Sequence, residues 1–183
     1  MIQSERLKTL FLELVQIDSI SRREGRIAAR LADELRGLGA EVEFDDAAAA
    51  VGGEVGNLIA HVPGNADAPA LLLCAHMDTV EPGIGVHPVV EGDVIRTDGT
   101  TVLGGDDKSG VAIIIECIRA CREQGLRHPP LEVVLTICEE VGLLGARHLD
   151  LAKVGAQRGL VFDSDAVGVV FTRAPGANGI EVT

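Results

Sequence analysis

The stretch Gly104-Gly105-Asp106-Asp107-Lys108-Ser109-Gly110 sets two adjacent carboxylates between glycines. Neighbouring acids repel unless a cation or a proton relieves them, and glycines permit a sharp turn or a close approach of the backbone to a ligand. Taken alone, the stretch reads better as a solvated turn capping a helix, because Asp and Ser favour helix starts. Two further stretches reverse that reading: Cys74-Ala75-His76-Met77-Asp78-Thr79 before it and Cys138-Glu139-Glu140-Val141-Gly142 after it. Together they offer one imidazole and several carboxylates, and apart from Lys108 no Lys or Arg cluster stands beside them. So many acids in one cleft need compensating positive charge, which bound divalent metal supplies. An imidazole mixed with carboxylates suits zinc, with manganese or cobalt as substitutes.

The elements around these residues must bring them together. Ser4 caps a first helix whose apolar positions Leu7, Leu10, Phe11, Leu14 and Val15 share one face, ending near Ile17. Ser21 and Glu24 form a capping-box pattern ahead of a second helix that carries Ile27, Leu31, Leu35 and Leu38 inward and stops at Gly39. Both helices are expected on one face of a sheet. Strands are expected at Val42–Phe44, Asn57–Val62, Ala70–Ala75, Leu131–Ile137, Gly159–Phe162 and Val169–Arg173, with an irregular loop over Asp45–Gly56 and a β-hairpin over Val89–Thr97 turning at Gly92. The runs at 70–75 and 131–137 are continuously apolar, as in strands covered on both faces. A largely buried helix is expected over Ser109–Gln124 and a short one around Leu144–Leu149. Three buried strands then deliver His76 and Asp78, Glu139 and Glu140, and Asp163 at their C-terminal ends, where open α/β sheets bind ligands, while Asp106 opens the buried helix. The expected fold is α/β, a mostly parallel or mixed central sheet covered by helices on both faces.

At 183 residues the chain is long enough to bury a core without staples, and its 46% hydrophobic and 24% charged residues describe a globular protein. Trp and Tyr are absent, so aliphatic side chains and four Phe fill the core. A formal net charge of -12 disfavours nucleic acid and anionic membrane surfaces, which draw on clustered Lys and Arg. Cys74, Cys117, Cys121 and Cys138 lie in apolar runs without Cys-x-x-Cys spacing, so free buried thiols in a reducing compartment are expected. No signal peptide or membrane-length apolar run is read, and the expected location is cytoplasmic. A phosphate-binding role for the glycine-rich loop fails, because Asp106 and Asp107 stand where amides and a Lys should meet phosphate.

In order, His76-x-Asp78, Gly104-Gly105-Asp106-Asp107-Lys108, Glu139-Glu140-Val141-Gly142 and Asp163 resemble the co-catalytic zinc exopeptidases and deacylases of the family that includes peptidase T, carboxypeptidase G and the aminoacylases. The resemblance runs from about Leu7 to Asp163 and is nearest to the tripeptide aminopeptidase branch. It implies two divalent metals, most naturally zinc, and a short peptide as substrate. It implies His76 and Asp163 as ligands of the first metal, Glu140 of the second, and Asp106, two before the Lys, as the bridge, with Asp107 its neighbour. Asp78 would hydrogen bond the His76 imidazole and fix its tautomer, and Glu139 would be the general base. The peptide bond from Asp106 to Asp107 would be cis. The family takes a further His from near its C-terminus, after an inserted lid domain through which a homodimer could form. Of the remaining histidines, His61 lies mid-strand, His87 and His128 precede prolines and His148 follows Arg147, so none is read as that ligand. The chain therefore reads as the N-terminal part, residues 1–183, of a catalytic domain, with lid and C-terminal segment absent, and as inactive by itself. The rivals are an N-acyl amino acid deacylase or carboxypeptidase of the same family, and a non-catalytic metal-binding or scaffold fragment.

Overall fold

The computed structural model describes residues 1–173. Its elements, in order, are α1 (Ser4–Val15), α2 (Gly25–Gly37), β1 (Glu41–Phe44), α3 (Ala47–Val51), β2 (Leu58–Val62), β3 (Leu71–His76), β4 (Pro88–Glu91), β5 (Val94–Thr97), α4 (Gly105–Glu123), β6 (Leu131–Thr136), α5 (Leu144–Arg147) and β7 (Gly159–Val161). Five strands form one sheet in the order β1-β2-β6-β3-β7, and β4 with β5 form a separate two-stranded hairpin. The pairs β1–β2 and β2–β6 are antiparallel, whereas β3 runs parallel to both β6 and β7. The fold is thus a mixed α/β sheet with flanking helices.

Strand alternation sorts side chains by face. Register places Leu58 opposite Leu135, Ala60 opposite Val133, and Leu73 opposite Val133 on the other side, so these residues share one face. That face forms a single buried cluster with Leu10 and Leu14 of α1, Ile27, Leu31 and Leu35 of α2, and Val111, Ile114, Ile115 and Ile118 of α4. The first two helices do therefore cover one face, together with α4. Each fully buried Leu or Ile contributes about 1.5–3 kcal/mol, which is why the three-four spacing of these positions dictates how the helices lie. The opposite face carries the buried Ile59 and Val134 and the half-buried Leu72 and Cys74.

Because β3, β6 and β7 run parallel, their carboxyl ends reach the same edge. One tie sets the position of the outermost of the three: the Glu132 carboxylate on β6 accepts hydrogen bonds from Gly155 N (3.0 Å) and Ala156 N (2.9 Å), pinning the chain just before β7.

Several expectations change. Ser4 is the first helical residue and caps nothing; the position before α1 is Gln3, whose own N–H donates to Glu116. Ser21 and Glu24 make no capping box, since α2 shows no side-chain cap and both side chains turn toward the sheet edge. The Asp45–Gly56 loop contains the short helix α3, because the alanine run has high helix propensity and Gly52, at φ 69°, closes it in the left-handed conformation. The final strand expected at Val169–Arg173 does not form; these residues are irregular, and among the described residues no strand pairs with them. Helix α4 begins at Gly105, but Asp106 and Asp107 have non-helical backbone angles, so regular helix starts close to Ser109 as expected. The Asp106–Asp107 peptide bond is cis. The four cysteines are free. No helix among the described residues is long and apolar enough to cross a membrane.

Candidate metal centre

The parallel ladder ends at His76 on β3 and Thr136 on β6, and just beyond these ends the polar residues gather. His76 is almost fully buried, and its Nε2 lies 3.0 Å from Asp106 Oδ1, which the kinked start of α4 presents from the side. One donor atom each from His76, Asp106 and Glu140 lie within 4.8 Å of one another, and so do donor atoms of His76, Asp107 and Asp163. Such groups can surround an ion at the roughly 2 Å that zinc keeps from nitrogen and carboxylate oxygen. The four ligands implied by the resemblance thus lie in two groups that share His76: Asp106 and Glu140 in one, Asp163 in the other. Asp107, which the resemblance makes only the bridge's neighbour, stands with Asp163 in the second group.

Asp78 has a different geometry from the one implied. The His76 Nδ1 lies 2.9 Å from the backbone oxygen of Asp78 and 3.5 Å from its Oδ1, so the carbonyl is the hydrogen-bond acceptor and the carboxylate acts as a nearby charge. The carboxylate oxygens are taken by other donors: Glu139 N at 2.9 Å, Glu140 N at 3.2 Å and Ser21 Oγ at 2.7 Å. Asp78 thus joins the end of β3 to the end of β6. Burial opposes its charge, but His76, Ser21 and the Glu139 amide outweigh burial and hold it below its ordinary range.

The electrostatics are those of a site short of positive charge. Among the described residues, no Lys or Arg pairs with Asp106, Asp107, Glu139, Glu140 or Asp163. Lys108 points elsewhere: it is buried, its Nζ donates to Ile17 O at 2.8 Å, and burial pulls it down to about 8 against the charge of Asp18. The acids respond by holding protons more tightly. Burial and then the Asp163 charge push Asp107 up to about 7, although the His76 charge opposes them. Glu139 and Glu140 are raised by burial and by neighbouring carboxylates, and Asp163 by burial and its closeness to Asp106. His76 is disfavoured as a cation by burial, yet Asp78 and Asp106 raise it to about 10. Asp107 supplies the sharpest observation: its Oδ1 accepts from Gly110 N at 3.0 Å, while its Oδ2 is buried with no partner. A buried carboxylate oxygen left bare is costly, and a divalent ion among these donors would remove that cost. The donor set fits a metal.

Sequence reasoning missed three contributors. In the sequence Glu24 and Ser21 have the pattern of a capping box, and Asn57 that of a strand start. In the structure Cys138 N donates to Glu24 Oε1 at 3.1 Å, and Ile137 N to Asn57 Oδ1 at the same distance. Their signal was polarity in segments where the apolar pattern demanded burial: Glu24 and Asn57 are both fully buried.

The family model described as Peptidase family M28 matches residues 57–172, well over half of the chain. The chain is 42% identical over 176 residues to the uncharacterized protein YqjE of Bacillus subtilis, covering 96% of this chain and 47% of that one. It is 33% identical over 149 residues to Peptidase T of Salmonella schwarzengrund, covering 63% of this chain and 36% of that one. A solved tripeptidase structure from Staphylococcus aureus superposes with a TM-score of 0.88 at 40% identity, over 91% of this chain and 45% of that one. The chain spans about half the length, or less, of the curated relatives it matches. Motif order, sheet architecture and the matching family model agree: the chain belongs to peptidase family M28, among the co-catalytic zinc exopeptidases that include the tripeptidases of the peptidase T kind.

Proposed function

We propose that the chain carries the catalytic centre of a metal-dependent aminopeptidase that releases the N-terminal residue from short peptides, tripeptides above all. The observation that carries this reading is the placement of Glu139. It stands next to Glu140 on a turn whose N–H groups are held by Asp78, beside the donor group of His76, Asp106 and Glu140 but outside it. A carboxylate so placed, raised by burial and by its acidic neighbours, is a better proton acceptor than an ordinary glutamate.

His76, Asp106, Glu140 and Asp163, with Asp107 at hand, would hold divalent metal, zinc by donor chemistry and cobalt or manganese as substitutes. When bound, the metal supplies Lewis acidity toward a water and the scissile carbonyl. Glu139 takes a proton from the attacking water and returns it to the departing amine. The Asp78 carbonyl favours a proton on His76 Nδ1, so that Nε2, beside Asp106 Oδ1 in the cleft, would be the nitrogen offered to a metal. Asp106 and Glu140 would be the protein ligands of a second ion; among the described residues His76 is the one imidazole grouped with them. We propose that the 183-residue chain by itself binds the second ion weakly and does not hydrolyse peptides, and that the whole protein, in which it forms part of the catalytic domain beside a lid, is the active form. A dimer formed through that lid, a cytoplasmic location and a peptide, not a nucleic acid, as partner complete the proposal; the net charge of -12 supports the last.

The test is a substrate panel of tripeptides, dipeptides, C-terminally blocked peptides and N-acetyl amino acids, assayed with excess zinc and then cobalt, on the chain and on the whole protein. Fastest release of the N-terminal residue from tripeptides is expected. Cleavage confined to N-acetyl amino acids would replace the reading with the deacylase one, and a whole protein that cleaves nothing would remove it.

A further inference from the structure

The β6 ladder stops at Thr136, and the next four backbone N–H groups are met by side-chain oxygens of three residues from elsewhere in the chain. Ile137 N donates to Asn57 Oδ1 (3.1 Å), Cys138 N to Glu24 Oε1 (3.1 Å), Glu139 N to Asp78 Oδ1 (2.9 Å) and Glu140 N to Asp78 Oδ2 (3.2 Å). Within this run Cys138 has φ 51°, a left-handed conformation that a residue with a side chain adopts only when its surroundings hold it. It is the residue from which Glu139 departs into the cleft.

We propose that Glu24 is a positioning residue for Glu139, acting through Cys138; the proposal rests on the hydrolytic reading above. Glu24 is fully buried, and its Oε1 gathers Cys138 N, the Cys138 thiol at 3.5 Å and Arg22 N at 2.9 Å. Arg22 is itself left-handed, at φ 72°, so one oxygen clamps two strained turns to each other. Its other oxygen has no partner. A carboxylate whose task was to cap α2 would sit at the surface, where its charge is hydrated, and would accept from the first helical N–H groups; Glu24 does neither. What its burial secures is the backbone conformation that aims Glu139.

The experiment compares Glu24→Met, near in shape but without an acceptor, with Glu24→Gln, whose amide oxygen can accept the same N–H groups. Three quantities are read: amide hydrogen exchange at Cys138 and Glu139 by NMR, kcat and KM separately, and the fold by circular dichroism. In Glu24→Met, exchange at both amides should quicken by about tenfold or more, and kcat should fall by a similar factor while KM stays within about twofold, the signature of a group misplaced for the transition state. Glu24→Gln should recover most of both. A folded Glu24→Met with unchanged exchange at Cys138 and unchanged kcat overturns the proposal, and so does a Glu24→Gln as impaired as Glu24→Met. If Glu24→Met does not fold, Glu24→Asp replaces it, because its shorter side chain withdraws the acceptor from Cys138 N and must produce the same losses. These rates are read on the whole protein, where absence of peptidase activity without any substitution would count against the hydrolytic reading alone, since exchange at Cys138 still decides whether Glu24 holds the turn.

Discussion

Helix α4 carries a buried carboxylate at its start, Asp107 (2% exposed), and another farther along, Glu116 (1% exposed), and their surroundings treat the two in opposite ways. Glu116 accepts from Arg6 Nε at 2.8 Å, Arg6 Nη2 at 2.9 Å and Gln3 N at 2.9 Å. This fork from α1 holds Glu116 below its ordinary range and fastens the first helix to the fourth. Asp107 has one backbone N–H, one bare oxygen and acidic neighbours, and burial pushes it up to about 7. Where α4 serves the fold, the chain supplies the cation itself. Where α4 meets the sheet edge, no Lys or Arg among the described residues pairs with the acids, and the donors are ones that a divalent ion would fit.

The largest expected effect lies at the sheet edge. In the metal-loaded whole protein, Glu139→Gln should lower kcat by about a hundredfold to ten-thousandfold, with metal content and melting temperature unchanged. Loss of metal instead would make Glu139 a ligand and redraw the site. Asp107→Asn sharpens the contrast between the two acids, because the Asn oxygen still accepts from Gly110 N while the bare charge is gone. Its metal-free form should melt no lower than the unsubstituted protein, yet its gain in melting temperature on adding zinc should be smaller. For scale, an ion present at a hundred times its dissociation constant stabilises by about 2.7 kcal/mol. A metal-free Asp107→Asn that is clearly less stable would mean that Asp107 is a structural acid like Glu116.

At the other acid the prediction reverses. Arg6→Met leaves the buried Glu116 with only Gln3 N and the more distant Arg119 and should lower the melting temperature, while kcat and metal affinity remain as they were. The smallest effect is the pH dependence of that pair. Glu116 is depressed from an ordinary value of 4.5, so its stabilising contribution is complete above that pH and is lost as pH falls through the depressed value. Thermal melts of the metal-free protein between pH 6 and about 3 should show this acid loss, and Arg6→Met should lack it.

What the sequence made legible follows from which residues announce themselves by pattern. His76, Glu139, Glu140 and Asp163 each end an apolar strand run, so the rule that ligands gather at the carboxyl ends of parallel strands located them. Asp106 was legible from its glycines and from Lys108. Asp107 was not, because adjacent acids look alike in sequence and only the kinked backbone at the head of α4 turns both toward His76. Glu24 and Ser21 were hidden by an equally good local explanation, the capping box, which tertiary bonds to Cys138 N and Asp78 displaced. The strand expected at Val169–Arg173 failed for a related reason. Strand preference is a preference for a neighbouring strand, and the sequence pattern does not say whether one is present.

The central claim is that the edge acids exist to hold divalent metal. Titrating metal-free protein with cobalt while following its visible ligand-field absorption tests it directly. The account predicts saturable binding with a tetrahedral or five-coordinate spectrum, a strong loss of affinity in His76→Ala, and a lesser loss in Glu140→Gln. No binding up to millimolar cobalt, or binding that survives His76→Ala unchanged, would contradict it.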